Sequence, residues 1–303
     1  MAGNLFGRAS EARATMNETA ELEENRLKDL DYILDIVANP DLAKSRLTVK
    51  VNEDGTVESP YYVNYPSSKG TIKCRVLFND STYGLQLVSV NCVTKMNLGC
   101  NDENENVAGE MGSLERAQNS YNRAIITLNE KAEEYMETAD GSKLAIDARC
   151  IGSNPLNKNY PDNLTGSERD AEMFTADSQY TYMNEYNGKY FNTNAHYLTD
   201  FERLWYLKIH KVDPNEENGC IYWLAAHRVA FLESNPEYGH SYRIPWVNPN
   251  GQYETVAMLH VNTDGTMEGN GFNVGFRPIF ILENNVKIIG GEGTEEIPFE
   301  IGL

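Results

Sequence analysis

Five cysteines and five histidines are the side chains of this 303-residue chain best suited to nucleophilic or metal chemistry. The cysteines stand at Cys74, Cys92, Cys100, Cys150 and Cys220, with no C-x-x-C among them, so their spacing matches no zinc pattern. They are also too few and too scattered for a disulfide framework, and the odd count leaves at least one thiol free or paired between chains. A catalytic thiol needs a base within hydrogen-bond reach. Cys220 with His210 or His227 is the best such pair in the sequence, but nothing nearby resembles an oxyanion loop. Arg228, next to His227, also disfavours the charged imidazole. The thiols are therefore expected to be small buried side chains, with no catalytic residue among them.

Other chemistries fare no better. Asp102-Glu-Asn104-Glu-Asn106 fits the first ligand positions of a calcium loop, but Val107 stands where the sharp turn needs Gly and Ser113 where a bidentate Glu is required. A solvated acidic loop is expected there, and no metal site. The chain has no G-x-G-x-x-G, no G-x-x-x-x-G-K-[ST] and no G-x-S-x-G. Four glycines between Gly265 and Gly275 precede no helix and read as a strand connection rather than a phosphate cradle. No cofactor is expected.

What stands out is the enrichment in aromatic and amide residues, with 18 Tyr against 10 Phe. Tyrosine offers a rigid contact face and a hydroxyl at low entropic cost, while Asn, Ser and Gly add adaptable hydrogen bonding. Asn235 to Tyr242 and Trp246 to Tyr253 concentrate that chemistry. Tyr238, His240, Tyr242, Trp246, Asn248, Asn250 and Tyr253 are the candidate ligand contacts. Strand or core packing is the alternative role for the same aromatics, and the sequence leaves it open. With 45 acidic and 26 basic residues the formal charge is −19, which repels phosphate backbones and anionic lipid. Nucleic acid is not an expected partner. No stretch approaches the roughly 20 apolar residues of a membrane helix, and Met1-Ala-Gly-Asn-Leu-Phe-Gly7 lacks the charged and apolar regions of a signal peptide. The chain as written is expected to be soluble.

Several elements would position these residues. From Ala9 to Val37 there is neither Gly nor Pro, and apolar residues recur at Ala9, Ala12, Met16, Ala20, Leu27, Leu30, Leu34 and Val37. That spacing predicts one long helix, thin in its first half and docked through leucines in its second, ended by Asn39-Pro40. Leu47 to Val51, a turn at Asn52-Glu-Asp-Gly55 and Thr56-Val-Glu58 predict a hairpin. Strands are expected at 61–65, 71–78 and 85–90. A second helix runs from a cap at Ser113 along Leu114, Ala117, Tyr121, Ala124, Leu128, Ala132 and Tyr135. Residues 151–195 show no periodicity and read as ordered loop. Thr199-Asp-Phe-Glu202 is a capping box opening a short third helix through Leu207. Strands and loops fill 222–282, with extended pieces from Val286 to Ile301.

Several segments resemble, in order, a family of surface proteins frequent in gut Firmicutes whose domain has the C-type-lectin-like fold, similar in shape to formylglycine-generating enzymes and to the variable proteins of diversity-generating retroelements. Tyr62-Val-Asn-Tyr-Pro66, Cys74-Arg-Val-Leu77 and Leu85-Gln-Leu-Val-Ser89 resemble its opening strands. Asn119-Ser-Tyr-Asn122 through Thr127-Leu-Asn129 resembles its first helix, and Asp147-Ala-Arg-Cys-Ile-Gly-Ser153 the link after it. Tyr222-Trp-Leu-Ala225 with Arg228-Val229 looks like the central strand signature, with Ala226 in place of the usual Ser. Val274-Gly-Phe-Arg-Pro278 and Val286-Lys-Ile-Ile-Gly-Gly-Glu-Gly-Thr294 resemble the closing strand and extension. Gly3 to Ala12 looks like the stretch that follows the hydrophobic half of a type IV pilin-like helix, a half missing here.

The resemblance implies an α+β chain. A long pilin-like N-terminal helix (1–39) and a connecting hairpin (40–56) would precede a C-type-lectin-like domain of short mixed strands with two helices (57–284) and an extended tail (285–303). Trp223 and Phe276 would be structural. The implied function is non-enzymatic display and ligand binding at a cell surface or pilus, outside the cell, in adhesion or receptor engagement. The partner would be a protein or glycan on another surface, with self-assembly through the N-terminal helix. A phage tail receptor-binding protein and a formylglycine-generating-like oxidase are the alternatives. The sugar motifs of calcium-dependent lectins are missing, and the oxidase's paired cysteines have no evident counterpart.

Overall fold

The computed structural model describes residues 27, 30, 31, 34, 38–51, 57–98, 124, 127–152, 183–186, 189–192, 200, 203–204, 206–225, 228–231, 240–250, 253–261, 267–269 and 273–303. Strands between 183 and 245 other than β10, and between 253 and 269, are described by backbone alone. In chain order the strands are β1 (Lys50–Val51), β2 (Val57–Glu58), β3 (Tyr62–Ser67), β4 (Gly70–Asp80), β5 (Gly84–Ser89), β6 (Thr94–Asn97), β7 (Ala145–Cys150), β8 (Met183–Tyr186) and β9 (Lys189–Asn192). They continue as β10 (Tyr222–Trp223), β11 (Arg228–Phe231), β12 (His240–Val247), β13 (Tyr253–Val261), β14 (Met267–Gly269), β15 (Asn273–Phe276), β16 (Pro278–Leu282), β17 (Lys287–Gly290) and β18 (Phe299–Gly302).

Two sheets hold most of them. The first runs β17-β18-β3-β4-β5-β16-β7. In β3 burial alternates residue by residue, as period-2 side chains on a half-covered strand require. β5 is buried at five successive positions, so both of its faces are covered. One face packs Val63, Tyr65, Cys74, Val76, Leu87 and Phe280 against Leu128 and Ala132 of the helix at 127–133 and against Trp223 and Phe276. The Tyr65 and Phe280 rings stack at 3.9 Å, and the Tyr65 hydroxyl donates to the Met136 carbonyl. The other face packs Leu77, Phe78, Val88 and Ile279 against Leu204, Leu207, Ile209, Tyr222 and Leu224. Burying these side chains, at roughly 1.5–3 kcal/mol each, is what orders the strands around them.

The second sheet runs β6-β15-β10-β12-β11-β9-β8, with β13 beside β12 and β14 beside β13. β10 and β11 lie end to end along one edge of β12, pairing with Trp246–Val247 and His240–Arg243, while β13 takes the other edge. The chain passes from the second sheet to the first with only Arg277 between β15 and β16.

The described residues do not form the expected α+β chain, a long pilin-like N-terminal helix followed by a C-type-lectin-like domain of short mixed strands with two helices. The described regular structure is mostly strand, held in two large sheets, with helix at Ala43–Arg46 and 127–133 and further described helical residues between 27 and 38 and between 200 and 206. Leu27, Leu30 and Leu34 are helical but 62%, 53% and 57% exposed, so the leucines dock on nothing described; residues 1–26 lie outside the described set. Helical spacing is a local signal. It shows that an apolar stripe exists, but not that a core receives it. The loop reading of 151–195 also needs correction. β8 and β9 form a hairpin there, and Ala230 pairs with Phe191, a non-local partner that local periodicity does not register.

Other expectations agree with the coordinates. β1 and β2 pair as the predicted hairpin, and β3, β4 and β5 fall on the predicted strands. Ala124, Leu128, Ala132 and Tyr135 are the buried face of the second helix, and Trp223 and Phe276 are fully buried. Among the described residues no helix is long and apolar enough to cross a membrane.

Candidate functional site

The ligand contacts expected from the sequence fall on the β12–β13 ribbon and its turn. Antiparallel register sets Val247 opposite Tyr253, Trp246 opposite Glu254 and Tyr242 opposite Leu259, with a bulge after Tyr242. At the base of the turn, the half-buried Trp246 ring lies 6.2 Å from that of Trp223, tilted by 33°. Trp223 is itself fixed, because its indole Nε1 donates to the Met96 carbonyl at 2.9 Å. Such a pair contributes about 0.5–1.5 kcal/mol beyond the area it buries. Trp246 therefore braces the ribbon from beneath.

The turn itself is built by asparagine chemistry. Asn248 is buried, and its Oδ1 accepts the Asn250 backbone N–H at 2.9 Å. This Asx turn fixes the Asn248-Pro-Asn250 backbone, with Pro249 restricting φ as well. Pro249 and Asn250 are exposed. Of the expected contacts, then, Asn250 faces solvent, Asn248 holds the turn and Trp246 anchors it. His240, Tyr242 and Tyr253 have strand positions but no described side chain, and Tyr238 lies outside the described residues.

Tyr222-Trp-Leu-Ala225 and Val274-Gly-Phe-Arg-Pro278 meet at the root of this ribbon. Tyr222 pairs in parallel with Gly275, and the Gly275 N–H donates to the Ile221 carbonyl at 2.9 Å. A Cβ on Gly275 would lie 2.5 Å from both Cys92 Sγ and that carbonyl oxygen, so only glycine lets the strands close. The buried Arg277 donates to the Ser89 carbonyl at 3.0 and 2.7 Å and to the Ile209 carbonyl at 3.3 Å, with its guanidinium over the Tyr222 ring. The Tyr222 hydroxyl donates to the His210 carbonyl at 2.7 Å.

Three of the four described thiols, Cys74, Cys92 and Cys150, are buried as the sequence suggested. Cys74 and Cys150 are buried, and burial holds both well above the ordinary thiol range. Burial pushes Cys92 up to about 11, against a smaller downward pull from the Arg277 cation. Cys220 is half-buried. His227 and Cys100 lie outside the described residues, as does the Asn101–Asn106 loop. Among the described residues no group of three or more His, Cys, Asp and Glu is placed to hold a metal.

A cleft of about 290 Å³ opens between the β3–β4 hairpin and the crossover after β5, lined in part by Lys69, Lys73, Asn91, Cys92 and Tyr135. Lys69 Nζ lies 2.8 Å from Glu134 and 5.4 Å above the centre of the Tyr135 ring, and Lys73 Nζ donates to the Glu295 carbonyl at 2.9 Å. Both lysines are thus already engaged. Sequence reasoning missed this cleft because its walls come from segments that no short motif joins.

No family model, curated protein or solved structure matches the chain. A functional reading therefore rests on the residues and geometry above.

Proposed function

We propose that this chain is a non-enzymatic ligand-binding protein that presents the β12–β13 turn and its neighbouring strand ends to a protein or glycan on another surface, in adhesion or receptor engagement outside the cell. The supporting observation is the preorganised turn. Asn250 stands exposed on a backbone fixed by the Asn248 carboxamide, over an anchored Trp246–Trp223 pair. A loop held in one conformation loses little entropy on binding, so its few polar contacts count for more. The charge of −19 suits display at high density, because it favours solubility and opposes non-specific anion contacts.

The test is capture of the labelled chain on a glycan array and on intact cells. An Asn250→Ala plus Tyr253→Ala variant should lose tenfold or more in binding with an unchanged melting temperature, and Tyr238→Ala plus Tyr242→Ala should lose a similar amount. If both double variants bind as the parent does, the ribbon is not the recognition surface and the proposal fails.

A further inference from the structure

Two thiols border the same apolar cluster where the chain crosses from the first sheet to the second. Cys92 lies in the crossover between β5 and β6, Cys220 just before β10, and both pack into the apolar cluster that contains Val88 and Tyr222. The crossover is held onto the segment that carries Cys220. Asn218 Nδ2 donates to the Cys92 carbonyl at 3.1 Å, and Cys92 Sγ lies 3.9 Å from the carbonyl oxygen of Ile221, the residue after Cys220. Gly275 packs so closely against Cys92 that a Cβ there would lie 2.5 Å from its sulfur, which leaves that sulfur no room to swing toward β15. Burial is the main cause that raises the Cys92 pKa, and a charge on Cys220 adds to it, as expected of a nearby group.

We infer that Cys92 and Cys220 are a site of oxidative cross-linking, forming an intramolecular disulfide when the chain meets a low-molecular-weight disulfide such as oxidised glutathione. Cys220 is the half-buried thiol and the one the reagent reaches. Its thiolate attacks one sulfur of the reagent, whose S–S bond breaks as the Cys220–S bond forms, and the first glutathione leaves as a thiol with the proton Cys220 gave up. Cys92, whose pKa is raised by burial and only partly brought back by the Arg277 cation, then gives up its proton and attacks Cys220 Sγ, which makes this the slow step. The mixed disulfide breaks and the second glutathione leaves as a thiol. Two protein thiols are oxidised, and one reagent disulfide is reduced to two thiols. The cross-link staples the crossover to the root of β10 and closes a long loop, so it stabilises mainly by restricting the unfolded chain.

The test equilibrates the full chain with graded mixtures of oxidised and reduced glutathione, then quenches, alkylates and maps peptides by mass, with melting curves in parallel. The expected result is a Cys92–Cys220 cross-linked peptide pair and a melting temperature higher by roughly 5–10 °C. Cys220→Ser, at a half-buried position, should lose both. Cys92→Ala should instead keep a single glutathione on Cys220, because the resolving thiol is gone. Persistent glutathione on Cys220 in the parent chain, a Cys220–Cys100 link, or two free thiols across the whole range would each overturn the inference.

Discussion

Two arginines are buried where the chain moves between the sheets, and the protein accommodates them differently. Arg149, at the end of β7, is gripped by Asp200 through both guanidinium amino groups, with Nη2 3.0 Å from Oδ1, and by Gln86 at 2.8 Å. The same carboxylate accepts the Gly152 N–H at 2.8 Å. Arg277, between β15 and β16, is met by the carbonyls of Ser89 and Ile209 and the face of Tyr222. The first site compensates charge with charge, and the second solvates it with dipoles and a ring. Burying a cation is costly in either case, but removing a partner exposes that cost fully only where a counter-charge is lost.

Asp200→Ala should therefore give the largest effect, because it strands a buried guanidinium and leaves the Gly152 N–H unpaired. A loss of about 3–5 kcal/mol in urea unfolding is expected. Replacing the pair together, Arg149→Met with Asp200→Leu, should recover most of that loss. Arg277→Met leaves only carbonyls short of a donor and should cost about 1–3 kcal/mol. If Asp200→Ala costs no more than Arg277→Met, the contrast between the two sites is wrong.

The sequence shows these residues but not their roles. Arg149 and Arg277 both lie inside stretches that drew notice as motifs, yet neither stretch says what the arginine touches. Asp200 looked like part of a capping box, because Thr199-Asp-Phe-Glu202 is a local pattern; its partner is 51 positions away in the chain. The strands β3 to β5 were legible because alternation and turn residues are local. β8, β9 and the pairing of β10 with β15 were not, since they depend on partners remote in sequence. At the candidate site, the aromatic and amide composition pointed to the β12–β13 ribbon, but not to which residues brace it. Only coordinates separate the inward Trp246 and Asn248 from the exposed Asn250. The N-terminal stripe is legible for the converse reason: its spacing is local, whereas the exposure of Leu27, Leu30 and Leu34 depends on whether any other element covers them.

Gly275 sharpens the comparison at the Arg277 crossing by testing how tightly that region is packed. Gly275→Ala would set a Cβ 2.5 Å from Cys92 Sγ and from the Ile221 carbonyl, both held in place, and should cost about 1–3 kcal/mol. Gly290→Ala is the control. Its Cβ would lie 3.7 Å from the Glu300 Cβ, an ordinary contact, and the change should stay within about 0.5 kcal/mol. Similar melting temperatures for the two variants would show that the crossing yields more readily than its geometry implies.

The smallest expected effect comes from His210, which shares the Arg277 region. Burial lowers its pKa first, and the Lys211 and Arg277 cations lower it further, against a backbone hydrogen bond that raises it. A histidine whose folded pKa lies below its unfolded value of about 6.5 binds fewer protons folded than unfolded as acid is added. Its neutral form then costs nothing well above pH 6.5, and stability falls as pH drops through that value toward the folded pKa. Melting temperatures should accordingly decline from pH 7.5 to 5.5, and His210→Gln should flatten that slope while keeping the backbone carbonyl that receives the Tyr222 hydroxyl. Arg277→Met should flatten it in part, because one of the two cations opposing protonation is gone. A slope unchanged in His210→Gln would assign the acid sensitivity to other groups and uncouple His210 from the arginine beside it.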